Sequence, residues 1–262
     1  MSDLRFFGQR DFLGVQFDML TFDDAVGWLE ARLSSDRFAY VVTPNVDHLV
    51  RLDSAFDALS PLYSAAALRL CDSRVVSRLA QFVGNPLPAV PGSDLVVALL
   101  ASVVRPGDKI AIIGSTGSAI KELSARYPAL DFHHVEAPMG LRDNPEARSQ
   151  IIASLPALDA RFVLIAVGSP QQEMLAFEMQ GHPELRGTAL CIGASIDFIV
   201  GVEQRAPKFI QRRGLEWAWR LSNNPRKLWY RYLIKGPLIF LIFFKYKLKK
   251  SPDNLKRLEI VV

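Results

Sequence analysis

Cysteine and histidine are scarce in this chain of 262 residues, which holds two cysteines and four histidines. Cys71 and Cys191 each end an apolar run, where a reduced thiol packs as a small hydrophobe, so we expect no disulfide. The chain also lacks an Asp-x-Asp pair, a close group of metal-ligating side chains and a Gly-x-Ser-x-Gly nucleophile motif. These absences argue against a metalloenzyme and a serine hydrolase, and we expect neither a metal nor a cofactor.

Apolar runs long enough to span a membrane are missing too. The first 17 residues carry scattered charges and no continuous apolar core, which argues against a signal peptide, so we expect the body of the protein in the cytosol. The apolar run from Leu238 to Phe244 covers seven residues, whereas a spanning helix needs about 20. We therefore expect this run to lie on a membrane rather than cross it.

Basic residues are concentrated in the last quarter of the chain. Residues 205–262 hold 15 Lys and Arg against 3 Asp and Glu, whereas residues 1–204 hold 16 against 24. In residues 215–232, LEWAWRLSNNPRKLWYRY, basic and aromatic residues are interleaved, which favours an anionic membrane surface over nucleic acid. The sequence thus predicts an α/β catalytic core over residues 1–204 and a membrane-associating appendage over residues 205–262. The alternative is a core helix followed by a solvated basic tail.

Apolar, β-branched runs alternate with helical patterns and turn signals along the predicted core. This alternation predicts an α/β fold, Rossmann-like, with a mostly parallel sheet and helices on both faces. We expect strands at residues 38–42, 68–71, 109–113, 131–135, 162–167 and 188–192. We expect helices near residues 22–33, 46–52, 95–104, 118–127, 145–154 and 171–179.

The appendage is predicted to hold two helices before the apolar run. The first extends from Pro207 to about Ser222, and the second begins at Asn224-Pro225 and is interrupted by Gly236-Pro237. Three basic residues recur every four positions on the second helix and predict a cationic stripe: Lys227, Arg231 and Lys235.

Four loops follow predicted strands, and in a parallel α/β sheet the ligand lies outside the carboxyl ends of the strands. They read Thr43-Pro44-Asn45, Cys71-Asp72-Ser73, Gly114-Ser115-Thr116-Gly117 and Gly168-Ser169-Pro170-Gln171-Gln172-Glu173. Together they supply a carboxylate, a hydroxyl, amides and small-residue turns whose helix N-termini suit phosphate. The set predicts a site for a polar ligand that carries phosphate.

Each loop also has a purely structural interpretation. Thr43 and Ser169 fit helix N-caps, and Ser169 with Gln172 fits a capping box. The glycines of the third loop do not complete a Gly-x-Gly-x-x-Gly pattern, so a tight turn is the default there. Asp72 could cap the segment that follows it.

Several segments of the chain occur together in one order. They are TPN, the Asp after the second strand, GSPQQE, GASIDFIVG, RAP and GLEWAWRLSNNPRKLWYRY. With them, the chain from about Val15 to Leu233 resembles the WecG/TagA/CpsF family of bacterial glycosyltransferases, also called glycosyltransferase family 26. The resemblance implies transfer of a hexose-type sugar from a UDP-sugar to a sugar on a polyprenyl diphosphate, with inversion and without a metal. It also implies a peripheral location at the cytoplasmic face of the plasma membrane, in the synthesis of teichoic acid, enterobacterial common antigen or extracellular polysaccharide.

The resemblance assigns roles within the core, position by position. The family's catalytic carboxylate falls on Asp72, which we expect to be the base that takes the proton of the acceptor hydroxyl. Its Thr and Asn fall on Thr43 and Asn45, and its active-site Gln falls on Gln172. These three side chains would orient the sugars.

Phosphate is expected to be held without a metal. The basic residues of the family's appendage fall on Arg220, Lys227 and Arg231, which would close over the site and meet the lipid diphosphate. The helix N-termini after Gly114 and Gly168 would hold phosphate as well.

Two departures from the family and two other functions are also considered. Ser73 stands where the family often has Gly, and Ala89 lies where an Arg is common, which bears on sugar specificity. One alternative is a non-catalytic scaffold of a polysaccharide assembly complex that uses the appendage as an anchor. The other is an NAD-dependent enzyme, disfavoured because Glu136 is the only acidic candidate near the end of the next strand. A homo-oligomer formed through the apolar appendage stays possible.

Overall fold

Six parallel strands form the central sheet in the structure, a computed structural model that describes residues 8–249. The strands are β3 (Ala39–Val42), β4 (Leu68–Arg69), β5 (Lys109–Gly114), β6 (Asp131–Val135), β7 (Phe162–Ala166) and β8 (Thr188–Cys191). Their order across the sheet is β4-β3-β8-β7-β5-β6, and all five pairings are parallel. The predicted Rossmann-like α/β fold is confirmed, and each of the six predicted strands is found within two residues of its expected bounds.

Helices cover both faces of this sheet. The first face carries α2 (Val46–Ser54), α3 (Phe56–Ser64), α4 (Arg74–Phe82), α7 (Pro145–Ser154) and α8 (Gln171–Gln180). The second face carries α1 (Phe22–Ala31), α5 (Gly92–Ala98), α6 (Gly117–Arg126) and α9 (Ser195–Val200). Strand β5 sends Ala111 and Ile113 to the first face and Ile110 and Ile112 to the second. Because both faces are covered, the central strand β7 is apolar at every position, and β5 and β8 are apolar after their first residue, so continuous apolar runs identify them.

Some elements lie outside the sequence prediction. A hairpin of β1 (Gln9–Phe12) and β2 (Val15–Asp18) turns at Leu13-Gly14, both with positive φ. Leucine is uncommon in such a turn, so the hairpin carries no clear turn signal. Helices α3, α4 and α9 were also not expected. A buried ion pair between Asp18 and Arg69, at 3.0 Å, ties β2 to the edge strand β4.

Three predicted helix caps are wrong. Asn45, not Thr43, caps α2, because its side chain accepts the Asp47 N–H at 3.0 Å. Helix α8 begins after Pro170 without a side-chain cap, and the hydroxyl of Ser169 instead accepts a bond from Arg51 Nη1 at 2.8 Å. Asp72 does not cap α4 either, since Ser73 performs that role.

The helices of the appendage are shorter and more numerous than predicted. Its helices are α10 (Lys208–Arg212), α11 (Glu216–Asn223), α12 (Pro225–Trp229) and α13 (Leu238–Lys249), and a π-helical segment, Tyr230–Lys235, continues α12. The predicted single helix from residue 207 to 222 is wrong because Gly214, with φ of 71°, ends its first part. The start at Pro225 and the interruption at Gly236-Pro237 are confirmed. Lys250 and the residues after it lie outside the described part of the chain.

The predicted cationic stripe is also wrong. The three basic residues do not share one exposed face. Arg231 points toward the body, 3.6 Å from Asp47, while Lys227 and Lys235 are exposed. Lys235 lies over the ring of Tyr230.

Helix α13 packs on the body with one side. Ile239 and Phe243 are buried, and the Phe243 ring lies 6.3 Å from Phe12 of the hairpin and 6.2 Å from Phe82 of α4. The hydroxyl of Tyr246 donates to the backbone oxygen of Asp11 at 3.0 Å. The opposite side of α13 exposes large apolar side chains: Leu238, Phe240, Leu241, Phe244 and Leu248. Within residues 8–249, no helix combines the length and the hydropathy that a membrane span requires.

Candidate active site

A crevice opens where two neighbouring strands send their helices to opposite faces. Strand β3 continues into α2 on the first face, and its neighbour β8 continues into α9 on the second. Ligands bind at such switch points, outside the carboxyl ends of the strands. A cavity of about 410 Å³ lies there, a volume in the usual range of ligand sites.

The body forms one wall of this cavity and the appendage forms the other. Asn45, Asp47, Asp72, Gly92 and Ser195 are among the residues of the body wall. The appendage wall combines charged with apolar side chains: Glu216, Trp217, Arg220, Arg231, Tyr232, Leu233, Ile239 and Phe240. The cavity is therefore polar at its floor and apolar toward α13.

Asp72 lies at the floor, partly buried, directly after the short edge strand β4. Its Oδ1 accepts the backbone N–H of Gly92 at 2.9 Å. Burial is the main cause that raises the pKa of Asp72 to about 6, and the negative charge of Glu216 adds to the rise, which the Gly92 bond limits. A carboxylate with this pKa is ionised at neutral pH and still able to accept a proton, as a general base must be.

Thr43 supports this floor from below. A Cβ added to Gly92 would lie 2.8 Å from Thr43 Oγ1, so the two residues are in close contact. Thr43 is absent from the cavity lining. Thr43 therefore packs against the residue whose backbone N–H binds Asp72.

Asn45 does line the cavity, and its side chain lies near enough to Asp72 to lower the pKa of that carboxyl. Gln172, by contrast, is buried beneath the floor. Its Oε1 accepts the Gly193 N–H at 2.9 Å, and its Nε2 donates to Glu173 Oε1 at 2.8 Å. With both ends of its amide in use, Gln172 connects the loops after β7 and β8 and is not part of the cavity wall.

Gly114 and Gly168 lie at a second crevice, between β5 and β7, whose helices α6 and α8 again take opposite faces. Both glycines have positive φ, 84° and 78°. A side chain at Gly114 would lie 2.7 Å from Val167 Cγ1, so the turn excludes any larger residue. Neither glycine lines the cavity at Asp72. The structure therefore places the two glycines together but apart from the carboxylate.

Two of the three predicted appendage cations reach the cavity. Arg220 Nη2 lies 2.9 Å from Glu203 Oε2, and its guanidinium lies 4.9 Å from the centre of the Phe198 ring. Arg231 is directed at Asp47. In each of them Nε is buried without a hydrogen-bond partner among the described residues. Lys227 is exposed outside the lining, near Asp197.

Sequence reasoning missed the acidic partners of these arginines. Asp47 forms an ion pair with Arg51 one helical turn later, at 2.8 Å, a spacing visible in the sequence. Its contact with Arg231 of the appendage joins residues far apart in the sequence, and no sequence pattern predicts it. Glu203 and Glu216 also lie in or near segments quoted for the family resemblance, but nothing there indicated their partners. Across residues 8–249, His, Cys, Asp and Glu form no group of three that could hold a metal ion.

A comparison with protein families supports a glycosyl transferase. The model described as "Glycosyl transferase WecG/TagA/CpsF family" matches residues 10–253. The match covers the sheet, the cavity and the appendage through α13.

Proposed function

Because the chain belongs to the WecG/TagA/CpsF family of glycosyl transferases, we propose that it moves a hexose-type sugar from a UDP-sugar to a saccharide on a polyprenyl diphosphate. The transfer inverts the anomeric configuration and serves the synthesis of a cell-surface or extracellular polysaccharide. One observation carries the proposal: Asp72, with its raised pKa, faces Arg220 and Arg231 across one cavity.

In this mechanism Asp72 acts as the general base. It takes the proton of the acceptor hydroxyl while that oxygen attacks the anomeric carbon, and the bond from this carbon to the UDP oxygen breaks. UDP leaves with the bonding electron pair. A positioned base contributes about 10²–10⁴-fold to such a step. Asn45 holds the carboxylate, and Thr43 and Gln172 support the loops around it.

Positive charge stabilises the phosphates of both substrates. Arg220 and Arg231 supply guanidinium groups, which form paired hydrogen bonds with phosphate oxygens. The helix N-termini after Gly114 and Gly168 supply N–H groups for the donor in the adjacent crevice. In this proposal the donor extends from the β5–β7 crevice toward Asp72, and the acceptor enters from the appendage side. Lys227, at the outer surface, attracts the diphosphate rather than contacting the reacting atoms.

The appendage brings the site to its lipid substrate. The exposed apolar side of α13 enters the lipid, and Lys245, Lys247 and Lys249 lie near anionic headgroups, each contributing about 1 kcal/mol. The cavity is apolar at Leu233 and Phe240, next to that surface. We therefore place the protein at the cytoplasmic face of the plasma membrane, as a peripheral protein.

A thermal-shift titration of the full-length protein with UDP tests the proposal without assuming a particular sugar. A ligand that binds only the folded state at a hundredfold excess over its Kd stabilises it by about 2.7 kcal/mol. We expect UDP to raise the melting midpoint, UMP to raise it less, and NAD to leave it unchanged. No shift with UDP, even with vesicles present, would favour the non-catalytic scaffold. A shift with NAD alone would favour a dehydrogenase.

A further inference from the structure

A chain of neighbouring polar side chains lies behind the proposed base. Its members are Asp72, Asn45, His48, Glu173 and Gln172, on the segments after β4, β3 and β7. Asp72 and Asn45 belong to the cavity wall, whereas His48 and Glu173 are buried and do not line it. His48 and Glu173 have no part in the mechanism above.

The N-cap bond of α2 determines which end of the Asn45 amide faces Asp72, and His48 contacts the oxygen end. The backbone N–H of Asp47 donates to Asn45 Oδ1 at 3.0 Å, and His48 Nδ1 lies 2.8 Å from the same oxygen. A backbone N–H is only a donor, so this end of the amide must be the oxygen. The amide nitrogen is thereby left for the carboxylate of Asp72.

The His48 ring contacts Asn45 whether or not its Nδ1 carries a proton. When Nδ1 carries a proton, it donates to Asn45 Oδ1, and when it does not, it accepts the Asn45 backbone N–H at 3.3 Å. Nε2 faces Glu173 Oε1 at 3.3 Å. Glu173 therefore holds the far side of the ring, and Asn45 holds the near side.

Glu173 is a carboxylate kept charged in the interior. Its side chain is 1% exposed, and its Oε2 has no hydrogen-bond partner among the residues described. Burial alone would raise the pKa of Glu173, but the bond and charge of His48, with bonds from Gln172 and Ser169, lower it. Burying a charged group is costly, so this arrangement is expected only where the charge has a role.

We propose that His48 and Glu173 are positioning residues for sugar transfer: Glu173 orients the His48 ring, His48 holds the Asn45 amide together with the Asp47 N–H, and that amide holds Asp72 toward the acceptor hydroxyl. This inference rests on the proposed function, since it assumes that Asp72 is the base. It assigns Gln172 to the same chain, as the residue that orients Glu173 and joins it to Gly193.

The charges around these five side chains have a second consequence, which concerns the pKa of Asp72. Asp72 faces Glu216 of α11, which raises its pKa, and His48 of α2, whose positive charge lowers it. Glu173 faces His48, and its charge also acts on Tyr63 of α3 and Cys191 of β8, both of which have raised pKa values mainly through burial. Arg51 and Asp47 of α2 form their own ion pair beside Ser169. Replacing His48 with an uncharged amide removes this lowering cause, so we expect the pKa of Asp72 to rise.

Two amide variants of His48 separate its two contacts. In His48→Asn the amide nitrogen replaces Nδ1 and keeps the donor to Asn45, whereas in His48→Gln it replaces Nε2 and keeps only the bond to Glu173. We expect kcat to fall about tenfold or more in His48→Gln and in Glu173→Gln, with donor KM within about twofold. His48→Asn should retain several times the kcat of His48→Gln. The control is His133→Asn on the edge strand β6, where His133 contacts only Asp131 among the interactions described.

The pH dependence supplies a readout that a merely structural role would not change. In both His48 variants we expect the acidic limb of the pH–kcat profile to move to higher pH. The pKa of Asp72, measured by carboxyl-carbon NMR, should move in the same direction, and this measurement needs no turnover. Melting midpoints and UDP titrations show whether each variant is folded.

Several results would overturn the inference. Wild-type kcat in folded His48→Gln protein would do so, as would equal losses in the Asn and Gln variants. An unchanged Asp72 pKa in both variants would contradict the coupling. If Glu173→Gln fails to fold, the two His48 variants still decide the question. If the wild-type protein binds no UDP and transfers no sugar, the proposed function fails, and the NMR measurement still tests whether His48 acts on Asp72.

Discussion

At the scale of single residues, the environment of Asp72 favours proton transfer but disfavours the charged form of the side chain. Its burial and the nearby Glu216 raise its pKa to about 6, which favours proton transfer near neutral pH, and the same environment disfavours its charged form. Activity and stability should therefore respond differently to its removal.

Asp72→Asn should remove most turnover. The amide cannot take a proton, so we expect kcat to fall by about 10²–10⁴-fold with the fold intact. The measurement is UDP release from a panel of UDP-sugars with a polyprenyl-diphosphate-linked saccharide as acceptor. The matched control is Asp57→Asn, an exposed residue in the first turn of α3, which should retain full activity. Near-normal turnover in Asp72→Asn would refute the assignment of the base.

The same variant should be more stable than the wild type at pH 7.5. A carboxyl whose pKa rises from 3.8 to about 6 on folding binds more protons in the folded state between these values. Its contribution to stability therefore falls as pH rises from about 4 to 6, and at higher pH the charged form destabilises the fold by roughly 1–3 kcal/mol. We expect a higher melting midpoint for Asp72→Asn at pH 7.5 and a smaller difference at pH 4. A lower midpoint at pH 7.5 would contradict this burial argument.

Gly92 is the other residue on which the floor depends. A methyl group there would meet Thr43 Oγ1 at 2.8 Å and displace the N–H that binds Asp72. Overpacking of this kind costs about 1–3 kcal/mol, and we expect Gly92→Ala to lower both kcat and the melting midpoint. Gly27→Ala is the control, because Gly27 lies within α1 with open space around it and should become about 0.5–1 kcal/mol more stable. Full activity in Gly92→Ala would mean that the Gly92 N–H does not hold the base.

At the scale of elements, the sheet was predictable and the appendage was not. Strands β5 and β7 are buried on both faces, so β7 is apolar at every position and β5 at every position after Lys109, a pattern visible in any short window. Helix α11 and the π-helical segment depend on Gly214 and on contacts with the body, which local periodicity does not contain. The hairpin was missed for a similar reason, since Phe12 and Phe17 gain their burial from distant elements.

Within the candidate site, too, some residues could be predicted from the sequence and others could not. Asp72 and Asn45 follow strands, and the topology of a parallel sheet brings the ends of neighbouring strands together. Arg231 lines the cavity and lies 3.6 Å from Asp47, a contact that no pattern in the sequence indicates. Gln172 was expected at the active site from the family resemblance, but its side chain is buried and accepts the Gly193 N–H.

The exposed side of α13 gives an element-scale prediction. Leu241 and Phe244 are 61% and 60% exposed, so replacing both with Glu should leave the melting midpoint unchanged. Binding to anionic vesicles should weaken at least tenfold, because apolar area is lost and like charges are added. The charge-matched control replaces Leu33 and Met139, which are 57% and 97% exposed elsewhere on the body. Equal vesicle binding by the two double variants would argue against α13 as the membrane contact.

At the scale of the whole molecule, the appendage is both a wall of the cavity and a membrane contact. A chain ending before Arg205 loses Arg220 and Arg231 with α13, and we expect it to lose vesicle binding and sugar transfer together. A chain ending at Pro237 keeps both arginines, so it should lose vesicle binding but keep part of its transfer to a water-soluble acceptor analogue. Sedimentation of both chains also tests whether the exposed side of α13 pairs subunits when no membrane is present. Full transfer by the shorter chain would refute a catalytic appendage.

The contact between the hairpin and α13 has a consequence for biosynthesis. Asp11 and Tyr246 are 235 positions apart, so a ribosome that adds about 5–20 residues per second makes one of them roughly 10–50 s before the other. During that interval Phe12 of the nascent chain lacks the cover that Phe243 later provides. The growing polypeptide thus presents an apolar surface until α13 emerges, and this period is when a chaperone has most to protect.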